Sequence, residues 1–140
     1  MPEVIFPGPE GRLQGRYQPA AKPRPPIAIV LHPHPQAGGT MNNAITLALY
    51  QMFVKRGFAT LRFNFRGVGR SEGVFDNGVG EQDDLKAVVA WVRQQRPDAT
   101  LWLAGFSFGA FVSLRAAAEL QPQVLVSIAP PAGRWDFDGV

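Results

Sequence analysis

The sequence predicts an α/β fold: a mostly parallel sheet, covered by helices on both faces and entered through an N-terminal hairpin. Three observations predict it. Continuously apolar runs such as Ile27-Ala28-Ile29-Val30-Leu31 read as strands with both faces covered, because a strand with one wet face alternates instead. These runs alternate with segments of helical period, as parallel strands joined by right-handed crossovers do. The glycine-flanked corner Gly105-Phe106-Ser107-Phe108-Gly109 joins one such strand to one such helix. The 140 residues, 46% hydrophobic and 18% charged, suffice for one compact core, so residues 1–140 are read as a single domain.

The elements follow in order. Val4-Ile5-Phe6 and Leu13 to Gln18 flank the turn-rich Pro7-Gly8-Pro9-Glu10-Gly11 and predict a hairpin. Residues 19–26 hold four prolines and read as an extended connection. The strand Ile27 to Leu31 leads into a loop, His32 to Thr40. From about Asn42 to Arg56 the spacing predicts a helix, with Ile45, Leu49, Met52 and Phe53 on its buried face. Lys55-Arg56-Gly57 closes it, placing cations at the negative end of the dipole and a glycine free to turn left-handed.

Phe58 to Asn64 is the next strand, followed by a long glycine-rich loop, Phe65 to Gly80. A helix from about Glu81 to Gln95 buries Leu85, Val88, Val89 and Val92 and carries Glu81, Asp83 and Asp84 in its first turn, where acids favour the positive dipole end. Pro97 stops it. Thr100 to Phe106 is a strand, and Phe108 to Leu120 is a helix apolar nearly all round, hence central. Val124 to Ala129 is the last strand.

The chemistry centres on Gly105-Phe106-Ser107-Phe108-Gly109. The G-x-S-x-G spacing alone is common, but an apolar strand running in and an apolar helix running out is the setting of a nucleophile elbow. Gly105 and Gly109 remove side chains that would collide with neighbouring backbone. The helix beginning at Phe108 directs free N–H groups towards a developing oxyanion. The loop His32-Pro33-His34-Pro35-Gln36 supplies the second oxyanion donor in this arrangement. Proline has no N–H, so the donors in its tight part are His34 and Gln36, and His34 is favoured. His32 and His34 precede Ser107, whereas the base in this architecture follows the serine, so a side-chain base role for either is the minor reading. His32, Gln36 and Arg66 are candidate pocket residues. Arg66 is expected to anchor its loop by hydrogen bonds, with Ser71 structural. A phosphate-loop reading of Arg66-Gly67-Val68-Gly69-Arg70-Ser71 is weak, since Gly-Lys-Ser/Thr is absent.

Composition bounds the alternatives. The net charge is +3, but the 14 Lys and Arg are dispersed, so no nucleic-acid footprint is expected. The absence of cysteine excludes disulfides and thiolate sites. No apolar run reaches the length of a membrane span, and the start of the chain lacks the pattern of a signal peptide, so a cytoplasmic location is the default. No acid near His32 and His34 completes a metal site; neither a metal nor a cofactor is expected.

The segments "LHPHPQAGGTMNN", "GFATLRFNFRGVGRSEG" and "LAGFSFGA" resemble the α/β-hydrolase superfamily. They are most similar to small bacterial hydrolases of the dienelactone-hydrolase-like and Xaa-Pro-peptidase-like group, over Val4 to Ala132. The resemblance implies a serine hydrolase with Ser107 as nucleophile, an oxyanion hole at Phe108 and the His34 loop, and a small-molecule ester or related acyl substrate. It departs at the end. Family members carry the triad acid and histidine on further strands, and here no histidine follows Ser107. Asp136 and Asp138 lie where some hydrolases place the acid, although two solvated carboxylates are the plainer reading. The expectation is therefore an N-terminal portion of the fold, incomplete at its C-terminal side and incompetent alone. Val124 to Ala129 would form an apolar outer strand, open to pairing with a second copy. The alternative is an inactive binding or dimerisation module; an acyltransferase would use the same elbow.

Overall fold

A computed structural model describes residues 3–20 and 22–131. Asp136 and Asp138 lie outside the described residues. The strands are β1 (Glu3–Gly8), β2 (Gly11–Gln18), β3 (Ile27–Leu31), β4 (Ala59–Phe63), β5 (Leu101–Phe106) and β6 (Val124–Ile128). The helices are α1 (Ala44–Lys55), α2 (Gly80–Gln95) and α3 (Phe108–Leu120), with a 3₁₀ turn at Pro35–Ala37.

The strands form one sheet in the order β1-β2-β4-β3-β5-β6. β1 and β2 pair antiparallel as the predicted hairpin, closing with Gly8 opposite Gly11, and β2 runs antiparallel to β4. From β4 onwards the pairing is parallel, through β3 and β5 to β6. Every residue of β3 and of β4 is buried, which accounts for the unbroken apolar run of β3. Ile27, Ile29 and Leu31 point into a core with Leu85 and Val88 of α2 and Val112 of α3, whereas Ala28 and Val30 face Leu49, Tyr50 and Phe53 of α1. The helices thus lie on both faces, α2 and α3 on one and α1 on the other.

Two details differ from the sequence-based expectation. α1 begins at Ala44, because the side chain of Asn43 caps it by accepting the N–H groups of Ile45 and Thr46. Its buried face is Thr46, Leu49, Tyr50 and Phe53, leaving Ile45 and Met52 exposed. Tyr50 turns inward because its ring is covered by the buried guanidinium of Arg62, 4.4 Å from the ring centre. Gly57 follows α1 with φ 86°, the left-handed stop its sequence predicted.

Candidate active site

The elbow is built by the end of β5, the start of α3 and the single residue between them. Ser107 has φ 55° and ψ −112°, a conformation that L-residues rarely adopt. Its N–H donates to the Ile128 carbonyl of β6 at 2.9 Å, and its carbonyl accepts the Phe111 N–H at 3.1 Å. A serine at a helix start ordinarily caps it; here the Ser107 hydroxyl makes no cap hydrogen bond. The side chain is half-buried rather than enclosed in hydrocarbon. The flanking glycines are required by contact. A Cβ on Gly105 would lie 2.5 Å from the Ala110 nitrogen, and one on Gly109 would lie 2.4 Å from the Leu31 carbonyl oxygen. Gly109 therefore lets the first turn of α3 press against the point where β3 becomes its loop.

That close approach brings the His34 loop to the helix start. The His34 ring lies 5.3 Å from that of Phe108 and 5.0 Å from that of Phe75. His34 Nδ1 accepts the Gln36 N–H at 3.0 Å, and the His34 carbonyl accepts from Ala37 and Gly39. The Gln36 amide is thereby committed within the loop, and Gln36 itself is exposed at the cleft rim. His32 is placed otherwise than a pocket residue should be. It is fully enclosed, its Nε2 accepts the Phe65 N–H at 3.1 Å, and its Nδ1 meets the Pro33 carbonyl at 2.7 Å. Burial pulls its pKa from 6.5 down to about 4, against the Pro33 bond that favours the charged form.

The loop after β4 forms the far wall. A cleft of about 230 Å³ lies between Pro35 and Gln36 on one side and Arg66, Gly67, Val74 and Phe75 on the other. Arg66 anchors this loop through bonds from Nε and Nη2 to the Asp84 carboxylate, from Nη2 to the Gly80 carbonyl, and from its backbone N–H to Asp84. Burial pushes the Asp84 carboxyl above its ordinary value, while the Arg66 donors favour the anion. Ser71 is structural, donating to the Asn64 carbonyl and accepting the Gln14 N–H.

Sequence reasoning missed the burial of Asp84 and Glu81, and Phe75 altogether. Glu81 and Asp83 do lie in the first turn of α2, but Glu81 and Asp84 are in addition buried and structural. The Glu81 carboxylate accepts the N–H groups of Asp76 and Gly78 and holds the loop end against α2. The signal was available: residues 81, 84, 85, 88, 89 and 92 form one helical stripe, so both acids sit on the apolar face. Phe75 carried no comparable signal.

The model of the X-Pro dipeptidyl-peptidase (S15) family matches residues 15–139, nearly the whole chain. The chain belongs to the S15 family. An α/β serine hydrolase without a lid from Xanthomonas campestris is 54% identical, with a TM-score of 0.94 over 99% of this chain and 65% of that one. An α/β serine hydrolase homologue from Coxiella burnetii is 42% identical, with a TM-score of 0.93 over 99% and 67%. An uncharacterised protein of Rickettsia prowazekii is 45% identical over 98% of this chain and 60% of its own length. This S15 chain therefore has the α/β-hydrolase fold, and it spans 60% to 67% of the length of these relatives. No helix among the described residues is long and apolar enough to cross a membrane.

Proposed function

We propose that this chain carries the nucleophile and oxyanion site of a serine hydrolase acting on an ester or related acyl bond. The observation that carries this is Ser107, held at φ 55° with a hydroxyl that serves no cap, beside the start of α3 and the His34 loop. The Ser107 oxygen attacks the acyl carbon, and the bond to the leaving group breaks from the tetrahedral adduct. Water then releases the acyl group from Ser107. The backbone N–H groups of Phe108 and His34 receive the negative charge that develops on the acyl oxygen. The cleft reaches this site through Phe75, whose ring lies 5.0 Å from that of His34 and 5.8 Å from that of Phe108, and its size supports a small acyl substrate.

The Ser107 proton needs an acceptor. Neither histidine in these 140 residues is placed to take it, since His32 is enclosed and His34 Nδ1 accepts the Gln36 N–H. On this reading the base is a histidine from outside these residues. Fluorophosphonate labelling tests this. The chain alone should label weakly at Ser107, added imidazole should raise the rate by acting as the base, and Ser107→Ala should abolish labelling. A chain that takes no label at Ser107 even with imidazole refutes the proposal.

A second reading is favoured by one observation. β6 is the outer strand of the sheet beside β5, with no further strand paired to it among the described residues. An inactive module that dimerises through this edge would sediment as a stable dimer, and a stable monomer would exclude it.

A further inference from the structure

We infer that His32 is the positioning residue of the oxyanion loop: by holding the Pro33 carbonyl it fixes the direction of the His34 N–H. The inference rests on the reading of Ser107 as nucleophile and of His34 as an oxyanion donor.

The argument begins with the ring. The Phe65 N–H donates to His32 Nε2 at 3.1 Å, so that nitrogen carries no proton. In a neutral imidazole the proton then sits on Nδ1, which donates to the Pro33 carbonyl at 2.7 Å. The two backbone contacts together fix the tautomer. The ring is fully buried and packs edge-on against Phe65, with centroids 4.8 Å apart, so it has no room to flip.

The Pro33 carbonyl and the His34 N–H belong to one peptide plane and point in opposite directions across it. Rotating the His34 N–H away from the substrate would swing the Pro33 carbonyl off His32 Nδ1. Gly39 closes the other side. A Cβ there would lie 2.2 Å from the Pro33 oxygen and 2.5 Å from the His34 oxygen, so only a bare Cα fits against this plane. The Gly39 N–H also donates to the His34 carbonyl at 2.9 Å. The plane is thus held by the imidazole and by the Gly39 backbone, before any substrate arrives. Such preorganisation is what an oxyanion donor requires, since a donor that must reorient loses most of its electrostatic effect. A histidine suits the position because its two nitrogens reach two backbone segments at once, the loop after β3 and the loop after β4.

Two measurements on the intact chain test this. Long-range proton–nitrogen correlation of the ¹⁵N-labelled chain between pH 5 and 8 should find His32 protonated on Nδ1 and bare on Nε2 throughout. An Nε2–H tautomer, or a neutral ring exchanging between its two tautomers, overturns the inference. Fluorophosphonate labelling of Ser107 in the presence of imidazole should slow about 10²-fold in His32→Leu, roughly the effect of losing one oxyanion donor. His32→Asn, whose amide reaches from the Nδ1 position, should recover to within about tenfold. Equal rates in wild type and His32→Leu, with both folded by amide-shift dispersion, overturn it. If His32→Leu fails to fold, His32→Asn decides, and a rate as low as the background of Ser107→Ala counts against the inference. A wild-type chain that shows the expected tautomer but takes no label refutes the Ser107 reading instead.

Discussion

Arg66 and Asp84 form a forked ion pair inside the protein, with Arg66 Nη2 2.9 Å from Asp84 Oδ1 and Nε 3.1 Å from Oδ2. The Arg66 side chain is 6% exposed and that of Asp84 is not exposed at all. The pair ties the cleft wall to the second turn of α2. Removing one partner strands the other charge away from water, which typically costs 3–5 kcal/mol, more than the pair itself contributes. Arg66→Met, which leaves the enclosed Asp84 carboxylate without a cation, should therefore lower the unfolding free energy by about 3 kcal/mol, read as a lower urea midpoint. Replacing both residues, as Arg66→Met with Asp84→Leu, should recover much of that loss. A single substitution costing under about 1 kcal/mol would contradict the burial argument.

Ser107 predicts an opposition between stability and function. Its backbone, at φ 55° and ψ −112°, lies where non-glycine residues cost of order 1–3 kcal/mol. Glycine adopts such angles without that strain but loses more chain entropy on folding. Ser107→Gly should thus stabilise the fold by about 1 kcal/mol in urea denaturation while removing the labelled hydroxyl. A destabilised Ser107→Gly would show the bend to be unstrained.

The layer order and most strand boundaries were legible because they depend on local pattern. β3 reads as covered on both faces from its apolar run, and the elbow from Ser107 between two glycines that have no space for a Cβ. Less legible was whatever depends on partners distant in sequence. Counting only apolar residues placed Ile45 and Met52 inward on α1. The true face is Thr46, Leu49, Tyr50 and Phe53, turned by the buried Arg62 of β4. His32 was read as a candidate pocket residue on the loop after β3; its enclosure depends on Phe65, thirty-three positions away. Arg66 was placed correctly as an anchor, yet Asp84 could be found only by noticing an acid on an apolar stripe.

Thr46 offers a stability test independent of the site. It is fully buried, and among the described residues its hydroxyl has no hydrogen-bond partner. An unsatisfied buried polar group costs about 1–3 kcal/mol of lost hydration. Thr46→Val keeps the branched shape and removes the hydroxyl, at a helix position where the two residues have similar propensity. It should raise the urea midpoint by the equivalent of about 1 kcal/mol, with the slope unchanged. A clear loss of stability would mean that the hydroxyl is hydrogen-bonded in solution.

His32 gives the protein a defined acid sensitivity. Burial lowers its pKa from 6.5 to about 4 in the folded chain, so the unfolded chain takes up the proton first as pH falls. The stability linked to the neutral ring is present in full above pH 6.5, declines as pH drops from there to about 4, and is gone below that. The difference corresponds to about 3 kcal/mol. Urea midpoints between pH 8 and 4 should therefore fall more steeply in wild type than in His32→Asn, which has no titrating group at this position. The two curves should run parallel above pH 7 and diverge below 6.5. Parallel curves across the whole range would mean that the ring charges at its ordinary pKa in the folded state, which its burial and the Phe65 N–H donated to Nε2 oppose.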